Sequence, residues 1–458
     1  MLIRFSIENT FSYGPRQELS MIPYKRLGTL KDHLYSLQNG QFHVLKMASL
    51  YGANGSGKSN LIKSMRFLQS LVLGESDSPV MHQSPNKLLP ESQSQILVVE
   101  FIQSGIPFYF GLAVKEGEIQ TEELYVSGLG VREDELIYER KSTDTKGEAV
   151  LNFGSKLNED PKSQILREIL IQEFLDSRQL IFKMIANREA EFLQPAKLAF
   201  LWFKNTLKII SPHSKPVGLT ARIDLDPSFR SYTSDFLQSV DVGIKVIKTA
   251  KTPLRTYFGE DDQEQVEQLI SQLKSSAENH FLLPTQEQDL LIKEEAGRYW
   301  VKKLQTEHQG PTEETVTFDL EDESDGTKRL LDFAPVFADI SQNNCVYLVD
   351  EIERSIHPLL IKSLLRKFSL DPETQGQLIF TTHESTLLDQ EVFRQDEIWF
   401  VEKNPKGFSE LYALSSFREH KTIDIRKGYL SGRYGSVPVL SDLINLNWNS
   451  NASKKPKI

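Results

Sequence analysis

One glycine-rich segment of the chain has the residue types and spacing that cradle phosphate groups. Gly52-Ala53-Asn54-Gly55-Ser56-Gly57-Lys58-Ser59 fits the pattern G-x-x-x-x-G-K-[ST] at every fixed position. Its glycines allow sharp backbone turns, so that successive N–H groups, including those of Asn54 and Ser56, can point at phosphate oxygens. The Lys58 ammonium suits the β- and γ-phosphates, and the Ser59 hydroxyl suits Mg²⁺. The segment predicts a nucleoside-triphosphate site with ATP and Mg²⁺ as ligands.

The flanking residues predict the strand and the helix that a phosphate loop needs. Residues 44–51, Val-Leu-Lys-Met-Ala-Ser-Leu-Tyr, read as a strand. From Asn60 to Leu73, apolar residues recur close to helical spacing. A helix that begins near Lys58 would add the positive end of its dipole to the phosphate site. A glycine turn before an ordinary helix would not require the Lys58-Ser59 pair.

Two carboxylates follow a second short apolar run, Val346-Tyr347-Leu348-Val349. At a strand end beside the phosphate loop, the Asp350 carboxylate would hold the water shell of Mg²⁺, as the usual partner of the loop's Ser or Thr. Glu351 is then available to polarise the attacking water as a general base. Glu353 competes for that role but lies two residues further along the chain.

A third segment, Glu323-Ser324-Asp325-Gly326-Thr327, is similar to the turn that opens the signature helix of ABC-type ATPases. Ser324 is a good N-cap, and Gly326 allows a phosphate to approach the backbone. An ordinary capped helix would explain the segment in isolation, but its position about twenty residues before Asp350 favours the signature. A signature of this kind completes the site of a second subunit. The segment therefore predicts a homodimer or a higher homo-oligomer.

A histidine follows a third apolar run, about thirty residues after Glu351. At a strand end beside the γ-phosphate, His383 could sense or stabilise charge. Isolated histidines are more often structural, and the order and spacing of the motifs favour the functional role. The segment Ser355-Ile356-His357-Pro358 occupies the position of the D-loop, which crosses the dimer interface in ABC-type enzymes. A zinc site from His357 and His383 is not expected, because no cysteine or further histidine clusters nearby.

Two other patterns leave alternatives open. Asp224-Leu225-Asp226 could mimic the metal pair of a nuclease, although a turn at the following Pro227-Ser228 explains it as well. The glutamine loop of ABC-type ATPases has no clear match, and Gln194 and Asn187 are the candidates.

Composition excludes several classes of protein. No run of eighteen apolar residues occurs, so no membrane span is expected, and the N-terminus lacks the apolar region of a signal peptide. The single cysteine, Cys345, cannot form a disulfide within the chain, which fits a reducing cytoplasm. A net charge of −10 argues against a broadly basic nucleic-acid surface but leaves room for a local groove that binds DNA.

Helices between the later strands indicate an α/β fold with a mixed β-sheet core. For a chain of 458 residues, two or three structural units are expected. We predict an N-terminal part of an ATPase core, with the phosphate loop and an antiparallel β subdomain, over residues 1–155 and an inserted helical lobe over 156–310. The C-terminal part of the core, with Ser324, Asp350 and His383, would span 311–415, followed by an extension over 416–458. The sequence has no long heptad run, so no coiled-coil arm is expected.

Taken together, these segments resemble the ABC-type ATPase heads of the SMC and RecF group. They resemble more closely a bacterial family of compact AAA ATPases found beside restriction and abortive-infection genes. The likeness covers most of the chain and includes, beyond the motifs above, Met1-Leu2-Ile3-Arg4-Phe5-Ser6-Ile7-Glu8-Asn9, Asp350 to Pro358, Thr381 to Leu388, Asp396-Glu397-Ile398-Trp399-Phe400-Val401-Glu402-Lys403 and Tyr429-Leu430-Ser431-Gly432-Arg433-Tyr434-Gly435-Ser436-Val437-Pro438. The chain departs from the family at Asn9-Thr10-Phe11-Ser12, where Asn-Phe-Arg-Ser is more usual.

The resemblance implies an ABC-type P-loop ATPase head with a regulatory role. Such proteins control a separate effector, commonly a TOPRIM-like nuclease encoded next door, in bacterial anti-phage defence complexes. The present chain has no TOPRIM signature, so any cutting activity would come from the partner. Lys58, Glu351 and His383 would then be the catalytic residues of the ATPase.

Two other functions compete with a regulatory ATPase of defence. A DNA-repair or DNA-maintenance ATPase of the SMC and RecF kind would clamp duplex DNA, and the acidic balance and short helical lobe disfavour it. The nucleotide-binding subunit of a transporter fits least. Its signature and C-terminus are unlike Glu323-Ser324 and Gly432-Arg433-Tyr434-Gly435.

Overall fold

The chain contains both runs of consecutive strands and strands that are separated by helices. The computed structural model describes residues 1–37, 40–75, 84–143, 149–155, 161–174, 178–212, 214–216, 218–259, 262–276, 278–285, 288–417, 419 and 423–437. The strands are β1 (Leu2–Glu8), β2 (Gln17–Ser20), β3 (Leu34–Leu37), β4 (Phe42–Leu45), β5 (Met47–Tyr51), β6 (Gln95–Gln103), β7 (Ile106–Lys115), β8 (Glu118–Val126), β9 (Glu135–Ser142), β10 (Ala149–Phe153), β11 (Leu207–Ile210), β12 (Ile244–Pro253), β13 (His280–Pro284), β14 (Asp289–Glu295), β15 (Arg298–Gln309), β16 (Thr315–Asp319), β17 (Val346–Val349), β18 (Gln377–Thr381), β19 (Ile398–Lys403) and β20 (Ser409–Ala413). The helices are α1 (Lys58–Leu73), α2 (Pro161–Ile169), α3 (Phe182–Ala186), α4 (Gln194–Leu201), α5 (Leu219–Leu225), α6 (Pro227–Ser239), α7 (Leu254–Phe258), α8 (Gln263–Ser275), α9 (Asp325–Gln342), α10 (Pro358–Leu370) and α11 (Ile425–Leu430).

A mixed six-stranded sheet forms the centre of the ATPase core. Its strand order is β11-β17-β18-β5-β19-β20. The first five strands of that order run parallel to their neighbours, and β20 is antiparallel to β19. The carboxyl ends of β5, β17 and β18 therefore meet at one edge, where open α/β sheets commonly bind ligands.

Both faces of this sheet are covered, which is why its middle strands β5, β17 and β18 are buried throughout. In β5, Ala48 and Leu50 belong to an apolar cluster with the buried side chains of α1. Met47 and Tyr51 point to the opposite face and belong to a second cluster with α9 and α10. The alternation of a strand thus connects the two halves of the core through β5.

The antiparallel β subdomain predicted within residues 1–155 is a seven-stranded sheet. Its order is β10-β9-β8-β7-β6-β1-β2, and every neighbouring pair is antiparallel. Side chains on one face, among them Phe5, Leu97 and Phe110, pack in the same cluster as α1. Helix α1 is therefore enclosed between the two sheets.

The region expected to be a helical lobe contains helices and a sheet. Helices α2 to α8 begin and end between residues 161 and 275, but from Ile244 the chain also forms strands in the order β12-β15-β14-β13, with β16 paired to β15. The expectation of helix over residues 156–310 is wrong for β12 to β15, whereas β16 lies beyond that range. The buried positions of β15 alternate through Lys302, Leu304 and Thr306, so polar side chains interrupt the apolar alternation that identifies a strand.

The strand expected over residues 44–51 is divided into two. β4 pairs with β3 in a two-stranded sheet, while β5 enters the central sheet. Lys46 lies between them, and its buried ammonium donates to the carbonyl oxygens of Ser369 and Asp371, each at 3.3 Å. This lysine marks the boundary that the otherwise apolar run conceals.

Within the described ranges, none of the helices combines the length and the apolar character that crossing a bilayer requires. The expected C-terminal extension contains α11 and is described as far as Val437. Pro438 and the remainder of the extension lie outside the described residues.

The side chain of Gln377 ties the start of the chain to the central sheet. Its amide oxygen accepts a hydrogen bond from Leu2 N at 2.5 Å, and its amide nitrogen donates to Leu2 O at 3.1 Å and Leu45 O at 2.9 Å. All of these groups are buried, so no water replaces a lost partner.

Replacement of Gln377 by leucine should therefore destabilise the fold. We expect Gln377→Leu to lower the free energy of unfolding by about 2–4 kcal/mol, because it leaves buried backbone groups unpaired. Urea unfolding of the full chain measures the change. The matched control is Gln375→Leu, whose exposed side chain predicts a change within about 0.5 kcal/mol. Equal stability of the two variants would contradict this role.

Candidate nucleotide site

The carboxylate of Asp350 is held at the edge of the central sheet by two hydroxyl groups. β17 and β18 pair with Val349 opposite Phe380, which places the next residues, Asp350 and Thr381, side by side. Asp350 Oδ1 accepts hydrogen bonds from Thr381 Oγ1 at 2.6 Å and from Ser59 Oγ at 3.0 Å. The structure thus brings together the two residues predicted to hold Mg²⁺.

The phosphate loop connects β5 to α1, as the sequence predicts. Gly57 caps α1 with a φ of 116°, a conformation that favours glycine. A Cβ atom at Gly57 would also lie 2.2 Å from Ser409 Oγ and 2.7 Å from Ser12 Oγ, so no side chain fits there. Gly55 likewise has a positive φ, of 78°. The close approach of Ser409 and Ser12 explains the glycine independently of any ligand.

The Lys58 ammonium lies inside the loop. Its Nζ donates to Gly52 O at 2.6 Å and to Ala53 O at 3.2 Å, and it lies 3.4 Å from His383 Nδ1. Burial lowers the pKa of Lys58 to about 8, although the nearby carboxylates of Glu353, Asp350 and Glu351 oppose the change. A lysine in this state gains most from an added negative charge, because the charge compensates for its lost hydration.

The Glu351 backbone adopts a conformation that is rare for a residue with a side chain. Its φ is 54°, and its N–H donates to Thr381 Oγ1 at 2.8 Å. Thr381 therefore holds both carboxylate residues, Asp350 through its own hydrogen and Glu351 through its oxygen. Such strain persists where surrounding contacts over-determine it, and it concentrates at functional sites.

Glu353 and His383 form a pair on the other side of the site. The His383 backbone N–H donates to Glu353 Oε1 at 2.5 Å. Burial raises the pKa of the Glu353 carboxyl. Partial burial and the charge of Lys58 lower the pKa of the His383 ring, so the neutral ring can accept a hydrogen bond from Lys58 at Nδ1. Glu353 is thus engaged in positioning His383, and Glu351 makes no such contact through its carboxylate in the described part of the chain.

These groups face one cavity. It has a volume of about 560 Å³ and is lined by Gly52, Ala53, Asn54, Glu351, Glu353, Arg354, His383, Ser385, Tyr429, Leu430 and Val437. The cavity adjoins the Lys58 ammonium through His383. Its size is within the range of small-molecule sites.

Ser324 and Gly326 are absent from the lining of that cavity. Ser324 caps α9 by accepting a hydrogen bond from Thr327 N at 3.1 Å, and its side chain is exposed. Gly326 packs against the backbone of the segment after Glu351, because a Cβ atom there would lie 2.7 Å from Ser355 O. That the signature serves a site other than that of its own chain stays a prediction.

Sequence reasoning missed the polar groups that support the phosphate loop from behind. Ser409 Oγ donates to Ser56 O at 2.5 Å and lies 2.8 Å from Ser12 Oγ, which also accepts from Asn60 Nδ2 at 2.8 Å. The Tyr13 hydroxyl donates to Gly57 O at 3.0 Å. No spacing rule could find these contacts, since Ser12 and Ser409 are 397 residues apart.

The C-terminal segment 429–437 lies over the phosphate loop. Tyr434 stacks on Phe400 of β19 with ring centroids 5.4 Å apart, and Tyr429 stacks on the same ring at 5.7 Å. The Glu402 carboxylate accepts a hydrogen bond from Ser436 N at 3.0 Å. A second cavity, of about 780 Å³, separates this segment from Ala53–Ser56. The segment is therefore a wall of the site rather than a loose tail.

The glutamine-loop candidates lie away from this arrangement. Gln194 begins α4, Asn187 follows α3, and both precede β11 and are exposed. At the end of β11, Ser211 is the residue that lies beside Asp350. The Asp350 N–H donates to the carbonyl oxygen of Ile210, the residue before Ser211, at 2.9 Å. β11 is only four residues long and contains no glutamine, so the sequence did not indicate that it forms the edge of the sheet beside Asp350.

The two alternative metal patterns have structural explanations. Asp224 accepts hydrogen bonds from Lys302, Lys293 and Thr249, while Asp226 caps α6 through Ser228 N and Phe229 N. His357 caps α10 by accepting from Leu359 N at 3.3 Å. In the part of the chain that the structure describes, no group of three or more His, Cys, Asp or Glu residues could hold a metal ion.

The loop residues fit a triphosphate and Mg²⁺. The Ser56 hydroxyl is buried and has no hydrogen-bond partner among the described residues. Lys58 uses backbone carbonyls as its acceptors, and Ser59 and Asp350 share one hydrogen bond. Phosphate oxygens would supply acceptors for Ser56 and Lys58, while Ser59 and Asp350 supply the hydroxyl and carboxylate that Mg²⁺ takes in such sites.

Comparison with solved structures finds SMC heads. One is an SMC head bound to the C-winged helix domain of ScpA, with 12% identity, a TM-score of 0.42, and 90% of this chain and 97% of that chain covered. Another is the SMC head domain from Thermotoga maritima, with 13% identity, a TM-score of 0.38, and 90% and 98% covered. A third, from Pyrococcus furiosus, is an Smc head domain with an extended coiled coil bound to the C-terminal domain of ScpA. Its identity is 13% and its TM-score 0.37, with 94% and 98% covered.

Among curated protein sequences, none matches this chain. A family model does match, over residues 47–389, and its description is "AAA domain, putative AbiEii toxin, Type IV TA system". The matched residues include the phosphate loop, Ser324, Asp350, Glu351 and His383, and they make up most of the chain. The chain therefore belongs to the AAA-domain family described as putative AbiEii toxins of type IV toxin–antitoxin systems.

Proposed function

We propose that the chain binds and hydrolyses ATP as the regulatory subunit of a bacterial anti-phage defence complex and controls a separate effector. The observation that carries the ATPase is the hydrogen bonding of Asp350 Oδ1 with Ser59 and Thr381, beside Lys58 and Glu351. This hydrogen bonding joins the end of β17, where Asp350 lies, to the phosphate loop, as phosphoryl-transfer sites of this class require.

Each side chain has a separate part in the proposed reaction. Lys58 exchanges its contacts with Gly52 O and Ala53 O for oxygens of the β- and γ-phosphates. Ser59 and Asp350 would hold Mg²⁺, which would neutralise charge on the phosphates. Glu351 accepts a proton from the attacking water. The His383 ring donates a hydrogen bond to the γ-phosphate, and Glu353 fixes the backbone N–H of the same residue.

The active form is a dimer with composite sites. Ser324 is exposed, and neither Ser324 nor Gly326 lines the cavity beside Lys58 of its own chain. Their backbone N–H groups at the start of α9 would instead meet the γ-phosphate held by a second copy. Exposed Leu359 at the start of α10 and exposed Leu430 of the C-terminal segment are apolar surface that such a contact could cover.

The role in defence is supported by the family, whose description names a putative AbiEii toxin of a type IV toxin–antitoxin system. The effector would be a partner protein, of which a TOPRIM-like nuclease is the expected kind. The Asp224 and Asp226 carboxylates, the nuclease-like pair of this chain, are used in ion pairs and a helix cap. DNA would then be contacted mainly by the effector.

The affinity for ATP should depend on the protonation of Lys58. Its pKa of about 8 means that the ammonium loses its proton as pH rises through that value, and only the cation attracts phosphates. Between about pH 8 and pH 9.5, we expect the affinity of the full chain for ATP to fall by up to about tenfold per pH unit. Calorimetric titration measures this. Lys58→Arg keeps its charge and should show no such fall. A constant affinity of the parent chain would contradict the assignment.

Glu351→Gln should separate chemistry from binding. The amide keeps the shape but cannot accept a proton, so turnover should fall by roughly 10²–10⁴ while ATP still binds. Glu353→Gln is the matched comparison, because the amide oxygen can still accept a hydrogen bond from the His383 backbone N–H. Its loss of turnover should be smaller than that of Glu351→Gln. A larger loss of turnover in Glu353→Gln than in Glu351→Gln would assign the general base to Glu353.

The same variant tests control of an effector. In Glu351→Gln the ATP-bound state persists, so the product of the neighbouring gene should bind the chain differently with ATP than without it. Purification of the tagged chain with that gene product, with and without ATP, measures the difference. Normal ATPase behaviour without any nucleotide-dependent partner would leave the ATPase standing and refute the regulatory role.

Ser324→Arg tests whether the site is shared between chains. Gly326 is a poorer position, because any side chain there meets Ser355 O of its own chain. We expect Ser324→Arg to block ATP-dependent dimers and hydrolysis but to spare ATP binding. Gln342→Arg adds the same side chain at the exposed far end of α9 and should have little effect. Full activity of Ser324→Arg, or a rate per chain that does not change with dilution to the monomer, would exclude the composite site.

A further inference from the structure

A third cavity, with an excess of positive charge, lies on the flank of the central sheet. It has a volume of about 460 Å³ and lies where β11, α5 and α9 meet. Its charged lining residues are Arg66, Lys208, Lys215, Arg222, Arg329, Asp332 and Asp339. None of its lining residues belongs to the cavity beside the phosphate loop. It is a separate site.

The guanidinium of Arg329 is the most unusual group in this cavity. The side chain is only 6% exposed, and Nε and Nη2 have no hydrogen-bond partner among the described residues. Nη1 lies 3.9 Å from Asp332 Oδ2, and the ring of Phe333 lies 4.8 Å from the guanidinium carbon. Buried arginine nitrogens without partners are costly, so an acceptor is expected there.

The two unpartnered nitrogens indicate which acceptor fits. Nε–H and the adjacent Nη2–H point in the same direction, and together they form the side-on fork of arginine. That fork binds two oxygens of one planar or tetrahedral oxyanion in parallel. A single water or one carbonyl oxygen satisfies only half of it.

The acidic residues of the cavity cancel only part of its positive charge, because five of the charged lining residues are cationic and two are acidic. Asp339 is already held by Lys208 at 2.5 Å, Arg222 at 2.9 Å and the Tyr347 hydroxyl at 2.7 Å. Burial raises the pKa of Asp332 to about 6, so its carboxylate is still mostly ionised at pH 7. In a chain of net charge −10, such a local excess of cations is distinctive.

We propose that this cavity binds a small phosphate-bearing anion through the Nε and Nη2 groups of Arg329, with Arg66 at its entrance. Arg66 is exposed and donates to Ile209 O at 2.7 Å on the rim. Because Nε and Nη2 of Arg329 have almost no exposed surface, its side chain must turn toward the cavity to meet the ligand. The ligand must be small or carry a terminal phosphate, because the backbone of a nucleic-acid duplex cannot enter so far. Inorganic phosphate, pyrophosphate and a nucleoside monophosphate share this chemistry.

The position of the site would connect it to hydrolysis. Arg329 lies on α9, one turn from Gly326, and the charges of Glu351 and Arg354 are close enough to influence its pKa. A phosphate bound there would change the charge that Glu351 faces from the side of α9. Products of hydrolysis, or a phosphorylated metabolite, would then alter the ATPase rate through α9.

The test uses the full chain carrying Lys58→Ala, so that binding of phosphate groups in the loop is weakened. Pyrophosphate, inorganic phosphate and AMP are each titrated by calorimetry. Arg329→Lys keeps the charge but loses the fork, and we expect binding of the preferred anion to weaken by about tenfold or more. Arg66→Gln, on the exposed rim, should weaken it several-fold without affecting the fold. Arg255→Lys, an exposed arginine elsewhere, should have no effect.

Three results would overturn the proposal. The first is absence of binding for all three anions at millimolar concentration. The second is binding that neither Arg329→Lys nor Arg66→Gln alters, which would place it in the loop. The third is Arg329-dependent binding of a short DNA duplex in place of the small anions. If Arg329→Lys fails to fold, Arg66→Gln alone decides.

Discussion

The hydrogen bonds that Asp350 Oδ1 accepts from Ser59 and Thr381 hold three distant parts of the chain at one point. A buried carboxylate is costly unless donors surround it, so β17, β18 and the start of α1 must meet in this register or none of them is satisfied. The pairing of Val349 with Phe380 sets the register. From it follow the conformation of Glu351, the position of His383 and the direction in which the phosphate loop opens.

Apolar packing makes this point rigid from both sides. The cluster around α1 fixes the loop from the antiparallel sheet, and the cluster around α9 and α10 fixes the segments that follow Asp350 and precede it. β5 contributes to both clusters. A shift of either layer is therefore transmitted to the loop, because close-packed interiors change between discrete arrangements and do not yield gradually.

The chemistry of the site could be predicted further than its surroundings. The phosphate loop, Asp350 and the strand before His383 are local patterns, in which residue type and spacing carry the physical requirement. The strands from Ile244 onward escaped prediction because Lys302 and Thr306 occupy buried positions of β15, supported by Asp224 and Glu323. The contact of Ser409 with Ser12 arises only when β20 folds beside the first turn of the chain. Ser211 beside Asp350 had no characteristic residue type to reveal it, and the roles of Ser324 and Gly326 stay predictions.

The packing of Gly326 against Ser355 has a consequence for timing. Ser355 follows Glu351 by four residues and has a φ of 61°, so it belongs to the same strained turn as the proposed base. Its carbonyl oxygen lies so close to Gly326 that a Cβ atom there would be 2.7 Å away. In a dimer with composite sites, the turn that changes when one ATP is consumed would press on the signature that holds the other ATP. The two sites would then act in alternation, and the second would wait until the first turn had reset.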